Sequence, residues 1–330
     1  MNGRVVTEEQ LLEIRKSRKI NVILRNPEAA PGLEPVKESQ FNGRTLLQEQ
    51  GQLADIFKEL DQMIGLDEIK ELVYEIYALI QIGQLRTEAG LTSNAQVYHM
   101  VFKGNPGTGK TTVARIMGRL FQAMGVLSKG HMIEGERADL VGEYIGHTAI
   151  KTRDLIKKAL GGILFIDEAY SLARGGEKDF GKEAIDTMVK AMEDHKNQFV
   201  LILAGYSEEM ELFLRANPGL PSRFPIQIEF PDYSVDQLLQ IAEWMIRERD
   251  YAFASAALDK LKQHLTMEKL AGYPAFSNAR YVRNMIERSI RHHAVRLLNH
   301  RGTAPTKQDL MIIRPEDFRL DKKPGFSHQP

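Results

Sequence analysis

The feature that most constrains this chain is a short apolar run, Val97–Phe102, which passes directly into Gly104-Asn-Pro-Gly-Thr-Gly-Lys110-Thr111 and then into helical spacing at Val113, Ile116, Met117 and Leu120. A strand, a glycine-rich turn and a helix in immediate succession leave few folds open. The spacing G-x-x-x-x-G-K-[ST] is met in full, and each residue type has a physical task. The glycines let the backbone turn with its amides inward, where they can wrap phosphate oxygens. A helix opening near Lys110 adds the positive end of its dipole. Lys110 brings a point charge to the β and γ phosphates, and Thr111 offers a hydroxyl to Mg²⁺. The expected nucleotide contacts are Gly104, Asn105, Pro106, Gly107, Thr108, Gly109, Lys110, Thr111 and Thr112.

A second apolar run, Ile163-Leu-Phe-Ile166, ends in Asp167-Glu168, with Asp167 lying 57 residues beyond Lys110. Taken alone, such a strand end is more often a turn and a helix cap. Following the phosphate loop, with one strand between, it places two acids at the ligand face of an α/β sheet. Asp167 is expected in the Mg²⁺ shell, directly or through water, and Glu168 is expected to polarise the attacking water. No Asn-Lys-x-Asp segment is present to read guanine, so ATP is expected over GTP.

The remaining runs fit the same architecture. Helical spacing covers Asp67 to about Leu85, Thr148–Ala159 and Lys182–Glu193. Strand-like runs occur at His131–Gly135, Phe199–Ala204 and Ile226–Phe230. Short continuous apolar strands alternating with helices predict a parallel sheet covered on both faces, a three-layer αβα P-loop fold. Pro231-Asp232-Tyr233 ends that pattern, and Ser234-Val-Asp-Gln237 reads as a capping box opening an all-helical lid. The expected organisation is a partly disordered extension over 1–57, an α/β domain over 58–231, a helical lid over 232–320 and a tail over 321–330. Within the extension, a strand at Ile20–Leu24 and a helix near Gly43–Leu60 are expected.

Lys plus Arg and Asp plus Glu both number 44, so global charge gives no argument for nucleic acid or an anionic membrane. The absence of cysteine excludes disulfides, thiolate nucleophiles and Cys-ligated metal sites. No run approaches the roughly 18 apolar residues of a membrane span, and a cytoplasmic protein is expected. His292-His293 on a helix point to different faces and make a poor metal pair.

In this order the residues resemble the AAA+ ATPases, and within them the family of stage V sporulation protein K, related to the red-type Rubisco activase. The segments carrying the resemblance are Phe102–Arg115, Asp139-Leu-Val-Gly-Glu-Tyr-Ile-Gly-His-Thr148, Gly161–Tyr170, Leu203-Ala-Gly-Tyr206, Asn217-Pro-Gly-Leu-Pro-Ser-Arg-Phe224 and Phe276-Ser-Asn-Ala-Arg-Tyr-Val-Arg-Asn284. The resemblance implies an arginine finger at Arg223, with Arg215 as the alternative. A finger acting in trans implies a ring, expected to be a hexamer. The resemblance also implies a second-sensor arginine at Arg280, with Arg283 one turn on. It implies a pore loop at Tyr144-Ile145-Gly146, against the plainer reading of a buried core tyrosine, and an adenine-packing segment at Ile64-Gly65-Leu66. Many AAA+ proteins carry Asn after the strand corresponding to Phe199–Ala204. Tyr206-Ser207 stands there in this chain, so the first sensor stays open between the two.

The resemblance implies a mechanochemical ATPase acting on a protein partner, with a role in spore formation. Two other readings compete. Residues 280–301 hold arginines at 280, 283, 288, 291, 296 and 301 against one acid, Glu287, which would suit a nucleic-acid motor or loader. A nucleotide-gated scaffold without turnover would have no need of Glu168.

Overall fold

The computed structural model describes residues 43–92, 96–144, 146–175, 179–271, 276–299 and 304–319. The strand expected at Ile20–Leu24, the pore-loop residue Ile145, and His300 and Arg301 lie outside them. The helix expected near Gly43–Leu60 is present as α1, Gly43–Gln62.

Five strands form one parallel sheet: β1 Met100–Gly104, β2 Met132–Gly135, β3 Ile163–Ile166, β4 Val200–Gly205 and β5 Ile226–Phe230, in the order β2-β3-β4-β1-β5. Successive side chains of a strand point to opposite faces. The apolar runs are continuous because both faces are buried. Met100, Phe102, Ile163, Phe165, Val200 and Ile202 enter one apolar cluster, while Val101, Leu164, Ile166, Leu201 and Leu203 enter the other. The first cluster is covered by α1, α2 (Asp67–Glu88) and α3 (Lys110–Ala123). The second is covered by α4 (Arg137–Leu140), α5 (His147–Ala159), α6 (Gly181–Asp194) and α7 (Ser207–Ala216).

The strand expected from Val97 enters the ladder only at Met100. One residue earlier a side chain takes the place of a ladder bond: the Leu201 amide donates to His99 Nδ1 at 3.0 Å. His99 is buried between Phe199 and Phe224. Burial pushes its pKa down from 6.5 to about 4.

After β5 the chain turns through Pro231-Asp232-Tyr233 into α8, Val235–Arg247. The expected capping box is formed: the Gln237 amide donates to Ser234 Oγ at 3.1 Å, and the Ser234 amide to Gln237 Oε1 at 2.8 Å. Then follow α9 (Ser255–Leu270), α10 (Asn278–Asn299) and α11 (Lys307–Met311). A two-residue parallel pair, β6 Ala252–Phe253 with β7 Ile312–Ile313, ties the end of this helical region to its beginning. Arg296 fixes the same end with a bidentate fork to buried Asp317, at 2.8 and 2.9 Å. His292 and His293 each meet a backbone carbonyl, of Asp317 and Asp309 respectively. Among the described residues no helix is long and apolar enough to cross a membrane.

His99 gives the fold a defined acid response. Its folded pKa of about 4 lies below its unfolded value of 6.5, so the unfolded chain binds more protons between those limits. Stability is therefore complete above pH 6.5 and falls as the pH drops toward 4, by about 3 kcal/mol for this group. Chemical denaturation across that window should show the loss. His99→Gln, which can still accept from Leu201 without titrating, should flatten the curve; an equally steep curve would remove His99 as its source.

Candidate active site

The C-terminal ends of β1, β3 and β4 open on a cavity of about 450 Å³, within the range that encloses most of a nucleotide-sized ligand. The glycine-rich turn after β1 forms its floor. Two of its glycines cannot be replaced. Gly104 has φ +143, and a Cβ there would collide with the Phe230 carbonyl. Gly107 has φ +73, and a Cβ there would collide with the Ser277 carbonyl and meet the Arg280 amide at 2.7 Å. In both places backbone lies where the side chain would be.

The carbonyl side of the loop is tied down from outside. The Thr108 carbonyl accepts from the Tyr233 hydroxyl at 3.1 Å, and the Gly107 carbonyl accepts from the Ala279 amide at 3.2 Å. The Pro106 carbonyl faces Asn278 Nδ2 at 3.4 Å. In a trans peptide the following N–H points the other way, so these contacts turn the amides of Gly107, Thr108 and Gly109 to the opposite side of the loop. Lys110 Nζ donates to the carbonyls of Gly104 at 2.7 Å and Asn105 at 2.8 Å. Burial lowers its pKa, opposed by Asp167, while Arg280 lowers it further. A partly buried ammonium beside another cation is a site that an anion stabilises.

Opposite the loop, Asp167 and Glu168 both line the cavity. Asp167 Oδ1 accepts from the Glu168 amide at 3.0 Å. Glu168 has φ +47 and ψ +43, the left-handed region, which costs a non-glycine residue on the order of 1 kcal/mol or more. Thr111, in the first turn of α3, lines the same cavity. A hydroxyl and carboxylates are hard oxygen donors, so this donor set fits Mg²⁺.

Most of the expected site residues meet at this cavity: Gly104, Pro106, Gly107, Gly109, Lys110, Thr111, Thr112, Asp167, Glu168, Ile64, Arg280 and also Arg283. Asn105, Thr108 and Gly65 do not line it. The Asn105 side chain turns away to Asp232, Thr108 is buried with its hydroxyl on the Asn105 carbonyl, and Gly65 packs on Gln237. Tyr206 lines the cavity, whereas Ser207 donates to Glu229 outside it. Arg223 lies elsewhere, bonded to Glu193 and to the Gly219 carbonyl. Arg215 is exposed beside Glu211. Tyr144 is 65% exposed, so the buried-tyrosine reading does not hold.

Sequence reasoning missed Tyr170, Tyr233, Ile241, Trp244 and Met245, all of which line the cavity. Ile241, Trp244 and Met245 share one face of α8 by their spacing of three and four. That spacing was visible, but nothing local distinguished this face from a core face. Burial and the Glu168 carboxylate push the Tyr170 phenol up to about 12, which keeps it a neutral donor.

Residues 100–232 match the ATPase family associated with various cellular activities (AAA), and residues 234–327 match the AAA lid domain. The chain is 56% identical over 321 residues to stage V sporulation protein K of Bacillus subtilis (strain 168), covering 97% of this chain and 99% of that one. The chain belongs to the AAA+ ATPases, in the family of stage V sporulation protein K. This AAA+ ATPase is also 43% identical over 279 residues to the chloroplastic ribulose bisphosphate carboxylase/oxygenase activase of Cyanidioschyzon merolae (strain NIES-3377 / 10D), covering 82% of this chain and 90% of that one. Its fold is shared with the FIGL-1 AAA domain, with a TM-score of 0.53 at 18% identity, over 78% of this chain and 80% of that one. As an AAA+ ATPase it hydrolyses ATP to ADP and phosphate.

Gly107→Ala tests the geometry of the loop. The new methyl must displace the Ser277–Arg280 backbone or collapse the turn, so ADP affinity in equilibrium titration should fall at least tenfold. Unchanged affinity would mean that the turn can relax at no cost to binding.

Proposed function

We propose that this AAA+ ATPase works as a ring, expected to hold six subunits, which uses ATP and Mg²⁺ to remodel or translocate a protein partner through its pore, in the cytoplasm and in spore formation. The sporulation role rests on the name of the relative from Bacillus subtilis. We assign the nucleotide-binding domain to residues 58–231, the lid to 232–320, the extension to 1–57 and the tail to 321–330.

The observation that carries the reading is the split of the predicted cations. Lys110, Arg280 and Arg283 share the cavity with Asp167 and Glu168, while Arg223 stands apart from it in the same protomer. A cation that cannot reach its own subunit's phosphates can serve only a neighbour's, and a planar guanidinium suits charge spread over phosphoryl oxygens. In this assignment Lys110 and the loop amides hold the β and γ phosphates. Thr111 and Asp167 hold Mg²⁺, which supplies positive charge to those phosphates. Glu168 takes the proton of the attacking water, and Arg280 binds phosphate from the lid, with Arg283 as its alternative. Tyr206 is the better placed first sensor, because it lines the cavity and Ser207 does not. Ile64 and the α8 face carrying Trp244 pack on adenine.

Tyr144, exposed on the loop before α5 and followed by Gly146 at φ +80, is the proposed grip on extended polypeptide. The nucleic-acid reading loses support because its arginines have other work. Arg280 and Arg283 face the cavity, and Arg296 is committed to Asp317.

Lys110→Ala should lose nucleotide, and Glu168→Gln should retain ATP with turnover at least about a hundredfold lower, which general-base removal implies. Mixing Lys110→Ala with Arg223→Ala tests the ring. The second protein offers an intact site and the first an intact finger, so mixed assemblies should regain ATPase activity that neither shows alone. No recovery on mixing would place the action of Arg223 within its own subunit.

A further inference from the structure

Three residues far apart in sequence meet behind the phosphate loop. Asn105 belongs to the loop, Asp232 to the turn between β5 and α8, and Asn278 is the first residue of α10. Asp232 Oδ1 accepts from Asn278 Nδ2 at 2.7 Å and from Asn105 Nδ2 at 3.0 Å, while Asp232 Oδ2 lies 3.1 Å from Asn105 Nδ2. Asn278 Oδ1 accepts from the Tyr233 amide at 3.1 Å. Asn278 is fully buried and has φ +43, a left-handed backbone that Asn tolerates better than most residues. Its neighbour Ala279 holds the Gly107 carbonyl.

This arrangement has a direction. Where it meets the loop backbone it does so at carbonyls, of Pro106 through Asn278 and of Gly107 through Ala279. It joins the loop to the two segments that must shift when the helical region moves against the sheet: the turn entering α8 and the start of α10. Asp232 is the only member that accepts from both partners. Without it, two side-chain amides are left with donors and no shared acceptor.

We propose that Asp232 and Asn278 are positioning residues that hold the phosphate loop open to nucleotide and tie its shape to the position of the lid. The inference rests on the reading that the cavity takes ATP, and goes beyond it by assigning a role to residues that touch no part of the ligand. Displacement of α10 pulls on Asn105 through Asp232 and on Gly107 through Ala279, so lid angle and loop shape change together.

The donor pattern supplies the test. Asp232→Ala removes the shared acceptor and breaks both arms of the bridge. Asp232→Asn keeps them: the Asn105 side chain is partly exposed and can turn so that its oxygen accepts from the NH₂ group at position 232, while the oxygen at position 232 still accepts from Asn278. Steady-state ATPase kinetics should show KM for ATP raised tenfold or more by Asp232→Ala, with kcat changed less than threefold and the thermal midpoint within a few degrees. Asp232→Asn should bring KM back to within about threefold of wild type. Asn278→Gly keeps the left-handed backbone at no steric cost and removes only the side chain, so it should reproduce the KM defect if Asp232→Ala does not fold. Trp244 is the sole tryptophan and lines the cavity from α8. Its emission change on ADP addition should shrink in Asp232→Ala and return in Asp232→Asn. Wild-type KM in both Asp232→Ala and Asn278→Gly, or Asp232→Asn as defective as Asp232→Ala, overturns the proposal. Failure of the wild-type protein itself to bind ADP overturns the assignment of the cavity instead.

Discussion

The backbone positions between β1 and α3 form the floor of the site, and their shape is decided by where their carbonyls go. A peptide group has one donor and one acceptor on opposite sides, so fixing the acceptor aims the donor. Tyr233, Ala279 and Asn278 take the carbonyl side of residues 106–108. Lys110 and Thr108 take the carbonyls nearer the strand. The loop is thus preorganised by ordinary hydrogen bonds from the hinge and the lid rather than by its glycines alone. The glycines are needed for a different reason: backbone of the strand and lid segments comes so close that no Cβ fits at Gly104 or Gly107.

Such preorganisation requires strain, and the strain is placed where the ligand will sit. Among the described residues five non-glycine positions have left-handed backbone: Leu66, Glu168, Asn197, Asp250 and Asn278. Asn197, Asp250 and Asn278 are of types that tolerate that region. Leu66 precedes α2 next to Gly109, and Glu168 ends the acidic pair at the cavity. These two residues hold unfavourable backbone, a pattern that persists only where the surrounding packing over-determines it. Partly buried Lys110, its charge only partly balanced by Asp167, adds an electrostatic counterpart. Bound phosphate would relieve it.

What could be read from the sequence divides along the same line. The sheet was legible because strands buried on both faces must be continuously apolar, and Ile163-Leu-Phe-Ile166 or Val200–Ala204 have few other readings. The phosphate loop and the acidic pair were legible because their chemistry fixes both residue type and spacing. The hinge network was not, because its members lie at 105, 232 and 278, and each taken singly is a common turn or cap residue. The cavity-facing side of α8 was hidden for a related reason. Ile241, Trp244 and Met245 are spaced as any amphipathic helix would be, and only the fold shows that this face borders a cavity and not a core. The His99 bond to Leu201 escaped notice because a histidine before a strand carries no local signal of burial.

The cations expected at the site fall in two places. Lys110, Arg280 and Arg283 reach the cavity from their own subunit, two of them from the lid, whereas Arg223 sits beside the end of α6 in contact with Glu193. In the proposed ring, one set of contacts binds nucleotide and the remaining cation comes from a neighbour. The lid is bonded to the loop through Asn278 and Ala279, so in that reading a neighbour that moves the lid also moves the loop amides. Coupling between subunits would need no device beyond the glycine-rich loop, the hinge and the start of α10 lying within hydrogen-bond reach of one another.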